Sequence, residues 1–386
     1  MTFSLSGDQA LIADSVGWTA DDYSWTEFHA SSVLPPPDVG RIVRVLTNEL
    51  TANNISFPDQ ERLLSRCVTA LHVGHLILQG PPGSGKTTLA RALSAAFSME
   101  LVPSTASSDW SPFHVVGGLQ PNRQGGFSSK LGVVPSAVLR CAELVRGSGD
   151  DATFKGAWLL IDEFNRADVD KAIGSLYTFL SSCDPEHVAA TPLELWFESS
   201  EATKRMWAPA LFRIIGTMND LDTNYVSQMS QGLRRRFQFI TVNVPSVPAE
   251  VDGSITVELR EAYTGASRWL EKTYGLEAPD LENSEIITAV KLFQSVLHGF
   301  RRPTVQGVDG WPVGTAQVVD VLRSFLLAGW TSDGALDTAI GDRLVGQMNT
   351  LSESQYKEFR ATLHANGLKR AVQDLDHLWK PYSVGA

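Results

Sequence analysis

Val39, Ile42, Val43, Leu46 and Leu50 recur at i, i+3, i+4, i+7 and i+11, which draws one apolar stripe along a helix laid on something else. The stripe opens just after Leu34-Pro35-Pro36-Pro37. A second helix is expected after Pro58, with Asp59 at its N-terminus and Leu63, Leu64, Cys67 and Leu71 on its inner face. His75-Leu76-Ile77-Leu78 is a different pattern, a continuous apolar run bounded by Gly74 and Gly80, as a strand buried on both faces requires. A glycine-rich turn and a helical stripe through Leu89 and Leu93 follow it. Strand-like runs return at Ala157 to Ile161 and at Leu211 to Ile215. This alternation predicts an α/β fold with a parallel sheet covered by helices. After Pro245 the pattern changes to long helical stripes, such as Val318, Val319, Val321, Leu322, Phe325 and Leu326. The expected organisation is a tail over 1–38, disordered or partner-docking, an α/β domain over 39–245 and a helical domain over 246–386.

Composition narrows the function classes. The chain has 386 residues, 43% of them hydrophobic, enough for more than one core, and 19% charged, too little for a fully disordered chain. Its 32 basic and 43 acidic residues give a net charge of -11, so no overall field attracts a polyanion, although a local basic groove stays open. Cys67, Cys141 and Cys183 are odd in number, far apart and lack a CxxC pair, which argues against a disulfide framework or a zinc site. The start MTFSLSGDQA lacks the basic and apolar regions of a signal peptide, and no later apolar run is long enough for a bilayer. A cytoplasmic protein without a membrane partner is expected. His72 and His75 stand at i, i+3, but a strand is expected to begin between them and no third ligand is evident, so they read as core or surface histidines. Trp18, Trp25 and Trp110 fall in the expected tail or loops, where they can dock a partner or stack on bases, although ordinary packing accounts for most of the ten tryptophans.

Three strand ends carry candidate chemistry. Gly80-Pro81-Pro82-Gly83-Ser84-Gly85-Lys86-Thr87 fits G-x-x-x-x-G-K-[ST] between a predicted strand and a predicted helix, the setting of a phosphate loop. Its glycines let backbone N–H groups close on phosphates, Lys86 neutralises the β and γ oxygens, and the Thr87 hydroxyl can take a place on Mg²⁺. Trp158-Leu159-Leu160-Ile161-Asp162-Glu163 ends a buried strand in two carboxylates that point to opposite faces. Asp162 can hold Mg²⁺ directly or through water, and Glu163 can orient or deprotonate an attacking water. The third run, Leu211 to Asn219, ends in an amide where open α/β sheets bind ligands, although Asn is also a common turn residue. The expected reaction is nucleoside triphosphate hydrolysis. Arg234-Arg235-Arg236, unusual in so acidic a chain, admits three explanations: a nucleic-acid patch, a solvated helix end, or a cation aimed at an anion elsewhere in the molecule or in a neighbouring copy.

GPPGSGKTTLA, LLIDEFNRAD, IIGTMND and LRRRF, in that order, resemble the AAA+ ATPases, and within them the branch of MoxR-type chaperone ATPases and McrB restriction motors. DEFNRA is close to that branch's DEINRA. GTMN followed by LRRRF is similar to McrB more than to MoxR, as more loosely are Phe113 to Pro121 (FHVVGGLQP) and Arg205 to Pro209 (RMWAP). The resemblance implies an AAA+ phosphate-loop core followed by a helical lid, in a homo-oligomeric ring, usually a hexamer, with nucleotide between subunits. It implies Gly80 to Thr87 and Thr88 as nucleotide-binding, with Mg²⁺ at Thr87 and Asp162 and Asn219 as the first sensor. Arg235 or Arg236 matches the arginine finger that enters the neighbour's site, Arg235 being preferred, and Asn165, Arg166 and Arg234 fall near the subunit interface or behind the site. ATP is the expected substrate, with GTP as the alternative. The family's second sensor is an arginine early in a lid helix; here Ala316 and Gln317 stand at that place. The stretch around Trp110, Phe113 and Gly125-Gly126 falls where related rings carry pore or substrate loops. Three roles follow: a motor acting on DNA with a separate nuclease partner, a remodeller with a von Willebrand A partner, or a slowly hydrolysing nucleotide-gated scaffold.

Overall fold

The computed structural model describes residues 32–379, apart from residues 54, 124, 148–151, 199–203, 220–228, 248–253, 333 and 349. Most of the expected tail, with Trp18 and Trp25, lies outside the described residues. The described chain divides into two compact units. The first gathers residues up to Glu49, Asp59–Gly80 and Lys86–Thr241; the second gathers Leu50–Pro58, Pro81–Gly85 and the residues from Val242 on.

The chain enters through α1 (Val39–Ala52) and α2 (Gln60–Val73), continues into β1 (His75–Gly80), α3 (Lys86–Ala96) and β2 (Met99–Thr105), and then makes a short helix α4 (Pro112–Val115) and a hairpin of β3 (Gly117–Pro121) and β4 (Phe127–Leu131). Helix α5 (Val133–Gly147) leads to β5 (Gly156–Asp162), followed by α6 (Val169–Ile173), α7 (Pro185–Ala190) and a small hairpin of β6 (Leu193–Glu194) and β7 (Arg205–Met206). The unit closes with β8 (Ile214–Asn219), α8 (Gln231–Arg234) and β9 (Phe237–Thr241).

Five strands form one sheet in the order β2-β5-β8-β1-β9, and every pairing in it is parallel. Leu76, Ile77 and Leu78 of β1 and Ala157 to Ile161 of β5 are buried on both faces, which explains why their apolar runs do not alternate. Trp158 is buried beside Phe97, ring centroids 5.0 Å apart, and its Nε1 donates to the Leu211 carbonyl at 2.9 Å. Gly216 is required on β8: a Cβ there would come within 2.4 Å of Ile77 Cδ1.

The third predicted strand starts later than its apolar run. Residues 211–213 precede β8, because the Phe212 N–H turns back to the Pro209 carbonyl at 2.9 Å. Arg213, only 3% exposed, directs its guanidinium to carbonyl oxygens of Leu71 at 2.6 Å, Ala210 at 2.7 Å and Phe212 at 2.9 Å. The first of these belongs to the last turn of α2, where the helix dipole favours a cation. Asp59 stands at the N-terminus of α2 as expected, but in a left-handed conformation and without a capping hydrogen bond from its side chain.

His75 opens β1 and is buried; its Nδ1 accepts from the Ile214 N–H at 3.1 Å. Among the described residues no group of three or more His, Cys, Asp and Glu side chains is gathered around a metal position. Cys67 and Cys141 are buried thiols, both pushed up to about 12 by burial. Trp110 is buried too, which fits ordinary packing rather than docking or base stacking.

The second unit is built on α9 (Val257–Tyr274), α10 (Ser284–Arg301), α11 (Thr315–Leu327), α12 (Ala335–Arg343), α13 (Glu353–Ala365) and α14 (Lys369–Leu378). One continuous core runs through them, with Phe293, Phe300, Val318, Leu322, Ile340, Phe359 and Leu375 buried. Of the helical stripe read over residues 318–326, Val318, Val321, Leu322, Phe325 and Leu326 form the inner face of α11, with Val319 half-buried at its edge. No helix among the described residues is long and apolar enough to cross a membrane.

Candidate nucleotide site

Parallel strands bring the chemistry-bearing residues to one end of the sheet. The register sets Gly80, the end of β1, opposite Asn219, the end of β8, and Ile161 of β5 opposite Gly216 of β8. Asp162, Glu163, Thr217 and Asn219 are thereby collected at the carboxyl ends of neighbouring strands, where open α/β sheets bind ligands.

Lys86 and Thr87 begin α3. The Lys86 side chain is buried, and its Nζ donates to the Gly80 carbonyl at 2.8 Å. The Thr87 hydroxyl donates to Asp162 Oδ1 at 3.2 Å. Thr217 donates its hydroxyl to the same Asp162 oxygen, while its oxygen accepts from the Glu163 N–H at 3.2 Å. In the sequence Thr217 stands within GTMN with nothing in that motif to mark a role for it. The signal was available: it stands two residues before Asn219, hence on the same face of the strand.

Glu163 lies in the left-handed region, at φ 57° and ψ 39°. A non-glycine residue there is uncommon and strained, and such strain gathers at functional sites. Its Oε2 accepts from Asn219 Nδ2 at 3.0 Å and pairs with Arg166 Nε at 3.0 Å. Asn165, 1% exposed, donates from Nδ2 to the Asn219 carbonyl at 3.1 Å, and its Oδ1 is buried without a partner. Thus Asn165 and Arg166, expected near an interface or behind the site, both touch the Glu163–Asn219 pair directly.

Residues 81–85 form the loop between β1 and α3. Gly83 and Gly85 hold φ of 74° and 87°, which favour glycine. A Cβ on Gly85 would lie 2.9 Å from the Phe57 ring. Ser84 Oγ is buried with no partner, an orphaned donor in a loop whose sequence fits the phosphate-loop pattern. Within the first unit, the buried Lys86 ammonium and the Thr87 and Asp162 oxygens fit a nucleotide phosphate with a hard cation such as Mg²⁺, which takes one or two carboxylates with hydroxyl, phosphate and water oxygens.

The three arginines have different surroundings. Arg236 lies over the Tyr177 ring at 4.9 Å, donates from Nε to the Tyr177 carbonyl at 3.1 Å and from Nη1 to the Gly232 carbonyl at 2.6 Å. Arg234 lies over the Phe239 ring at 5.5 Å. Arg235 is exposed, and its side chain has no partner among the described residues. The start of α8 is pinned as well: the Ser230 N–H donates to Asp170 Oδ2 at 2.7 Å, and both Ser230 and Tyr177 give their hydroxyl protons to Asp170.

Comparison with known proteins agrees with this geometry. Residues 75–237 match the AAA domain of the dynein-related subfamily. Over 242 residues the chain is 28% identical to the type IV methyl-directed restriction enzyme EcoKMcrB subunit of Escherichia coli strain K12; the match covers 61% of this chain and 49% of that protein. The chain therefore spans about half the length of this relative. With the parallel sheet and the ordered strand-end motifs, these matches identify residues 75–237 as an AAA domain and support a P-loop NTPase similar to the McrB subunit.

Proposed function

We propose that the protein hydrolyses ATP, with GTP as the alternative, as one subunit of a ring, and that it acts as a McrB-like motor beside a separate nuclease partner. The observation that carries the hydrolytic part is the linked group of Thr87 at the start of α3 with Asp162, Thr217, Glu163 and Asn219 at the strand ends. Asp162 and Thr87 would hold Mg²⁺, which screens the phosphate charge when bound. Residues 80–88 bind the phosphates, with Lys86 on the β and γ oxygens. Glu163 takes the proton of the attacking water or orients it, and Asn219 positions both Glu163 and that water. Arg235, exposed and uncommitted, supplies a cation to the γ-phosphate of a neighbouring subunit in a hexamer. Arg236 and Arg234 are held by aromatic rings of their own subunit. The nucleic-acid explanation of the arginine cluster is accordingly the weaker one. The motor role draws on the similarity to a restriction-enzyme subunit.

Phosphate release by purified protein, with and without duplex DNA, tests this. Glu163→Gln should keep nucleotide affinity within a few-fold and lower turnover by about 10²- to 10⁴-fold, whereas Lys86→Ala should lose nucleotide binding. Full turnover in Glu163→Gln would remove the carboxylate from the mechanism. A pull-down with Glu163→Gln as bait separates the roles: a nuclease partner supports the motor, and a von Willebrand A partner replaces it with a remodeller.

A further inference from the structure

Arg301, the last residue of α10, and Glu258, in the first turn of α9, form a two-pronged ion pair. Nη1 donates to Oε2 at 2.6 Å and Nη2 to Oε1 at 2.8 Å, with the side chains only 5% and 11% exposed. Burying two such charges gives little net stability, so their placement asks for another explanation. Both residues also grip the segment before α11. Arg301 donates from Nε and Nη2 to the Val313 carbonyl at 3.1 and 2.7 Å, and Glu258 Oε1 accepts from the Thr315 hydroxyl at 3.0 Å. The Trp311 N–H donates to the Phe300 carbonyl at 2.7 Å, closing the same turn from its other end.

The gripped segment rests on the glycine loop. The Ala316 N–H donates to the Gly83 carbonyl at 3.2 Å, and a Cβ on Gly314 would fall 2.3 Å from the Gly83 carbonyl carbon. Gln317 packs its Cγ 3.3 Å from the Cβ position of Gly83. Its amide is engaged at both ends: Oε1 accepts from the Gly314 N–H at 2.8 Å, and Nε2 donates to Gln347 Oε1 at 2.6 Å.

We propose that the Arg301–Glu258 pair is a positioning device for the phosphate loop. It fixes residues 313–317, and these hold Gly83 in the left-handed conformation that shapes the loop before nucleotide arrives. The inference rests on the assignment of residues 80–88 to nucleotide. Because the contact is made to loop backbone, it acts on di- and triphosphates alike, unlike an arginine reaching for the terminal phosphate. Preorganisation of this kind lowers the ordering cost of binding.

The test is fluorescence titration of the full chain with mant-ATP, mant-ADP, mant-GTP and mant-GDP, beside thermal melts. The apolar double variant Arg301→Met with Glu258→Leu removes the clamp while keeping the site buried, a change that buried ion pairs often tolerate. Expected are a melting temperature within a few degrees of wild type and a loss of about tenfold or more in affinity, equal for di- and triphosphate, as outer residues that orient a binding group commonly give. Thr315→Val, which removes one hydrogen bond of the clamp, should give a smaller loss of the same kind and serves if the double variant does not fold. Gly314→Ala, which disturbs the loop contact directly, should reproduce the full loss. Unchanged affinity in folded clamp variants, or a loss confined to triphosphates, overturns the proposal. Wild-type protein that binds none of the four nucleotides overturns the nucleotide assignment itself, and this inference with it.

Discussion

Single residues carry opposite electrostatic duties within a short distance. His75 is pushed down to about 3, first by burial and then by the Arg213 guanidinium, so the folded protein holds it neutral, with Nδ1 accepting from Ile214. The unfolded chain takes up a proton near the ordinary 6.5. Stability from this residue is therefore complete above pH 6.5 and is lost as pH falls from there toward 3, at about 1.4 kcal/mol per pH unit. Urea unfolding at pH 7, 6 and 5 should show that slope in wild type and a shallower one in His75→Gln. Equal slopes would assign the acid sensitivity to other groups. Among the arginines, identity depends on neighbours: Arg236 is committed to Tyr177, Arg234 faces Phe239, and Arg235 is left exposed.

At the level of elements, β8 is the strand with least room. Gly216→Ala presses a methyl group against Ile77 and Phe164 and should cost about 1–3 kcal/mol, as overpacking does, readable as a lower urea midpoint with an unchanged slope. A variant as stable as wild type would mean that β1 and β8 can separate locally. The central strands were legible because burial on both faces leaves continuous apolar runs. Strand β2 was not, since it forms an edge, where Glu100 and Pro103 are tolerated, and β9 was not read as a strand either. The two hairpins were also missed, their strands short and partly polar. The late start of β8 comes from the turn that returns the Phe212 N–H to the Pro209 carbonyl, beside Arg213, whose carbonyl partners lie on α2 and in the residues just before β8. For the site, Lys86, Thr87, Asp162, Glu163 and Asn219 were readable because each belongs to a contiguous motif. The alternation that puts Thr217 on the Asn219 face was readable too, but its bridge to Asp162 and Glu163 and the sorting of the arginines were not, because the residues that decide them arrive from elsewhere in the chain.

For the molecule as a whole, the exposed Arg235 makes a prediction about assembly. Arg235→Ala should bind nucleotide normally and lose turnover by about 10³- to 10⁵-fold. Mixed with Lys86→Ala, it should regain activity, since hybrid interfaces join an intact loop to an intact arginine. No regain at any mixing ratio would argue that Arg235 works within its own chain. The left-handed backbone at Glu163 has a further consequence. Glycine adopts that conformation freely, while any other residue pays about 1 kcal/mol or more. Glu163→Gly should therefore melt higher than wild type, provided the lost contacts to Asn219 and Arg166 cost less than the strain relieved. A screen for heat resistance alone would then discard the carboxylate that the proposed hydrolysis sets against the attacking water, so heat resistance and turnover would pull this position in opposite directions.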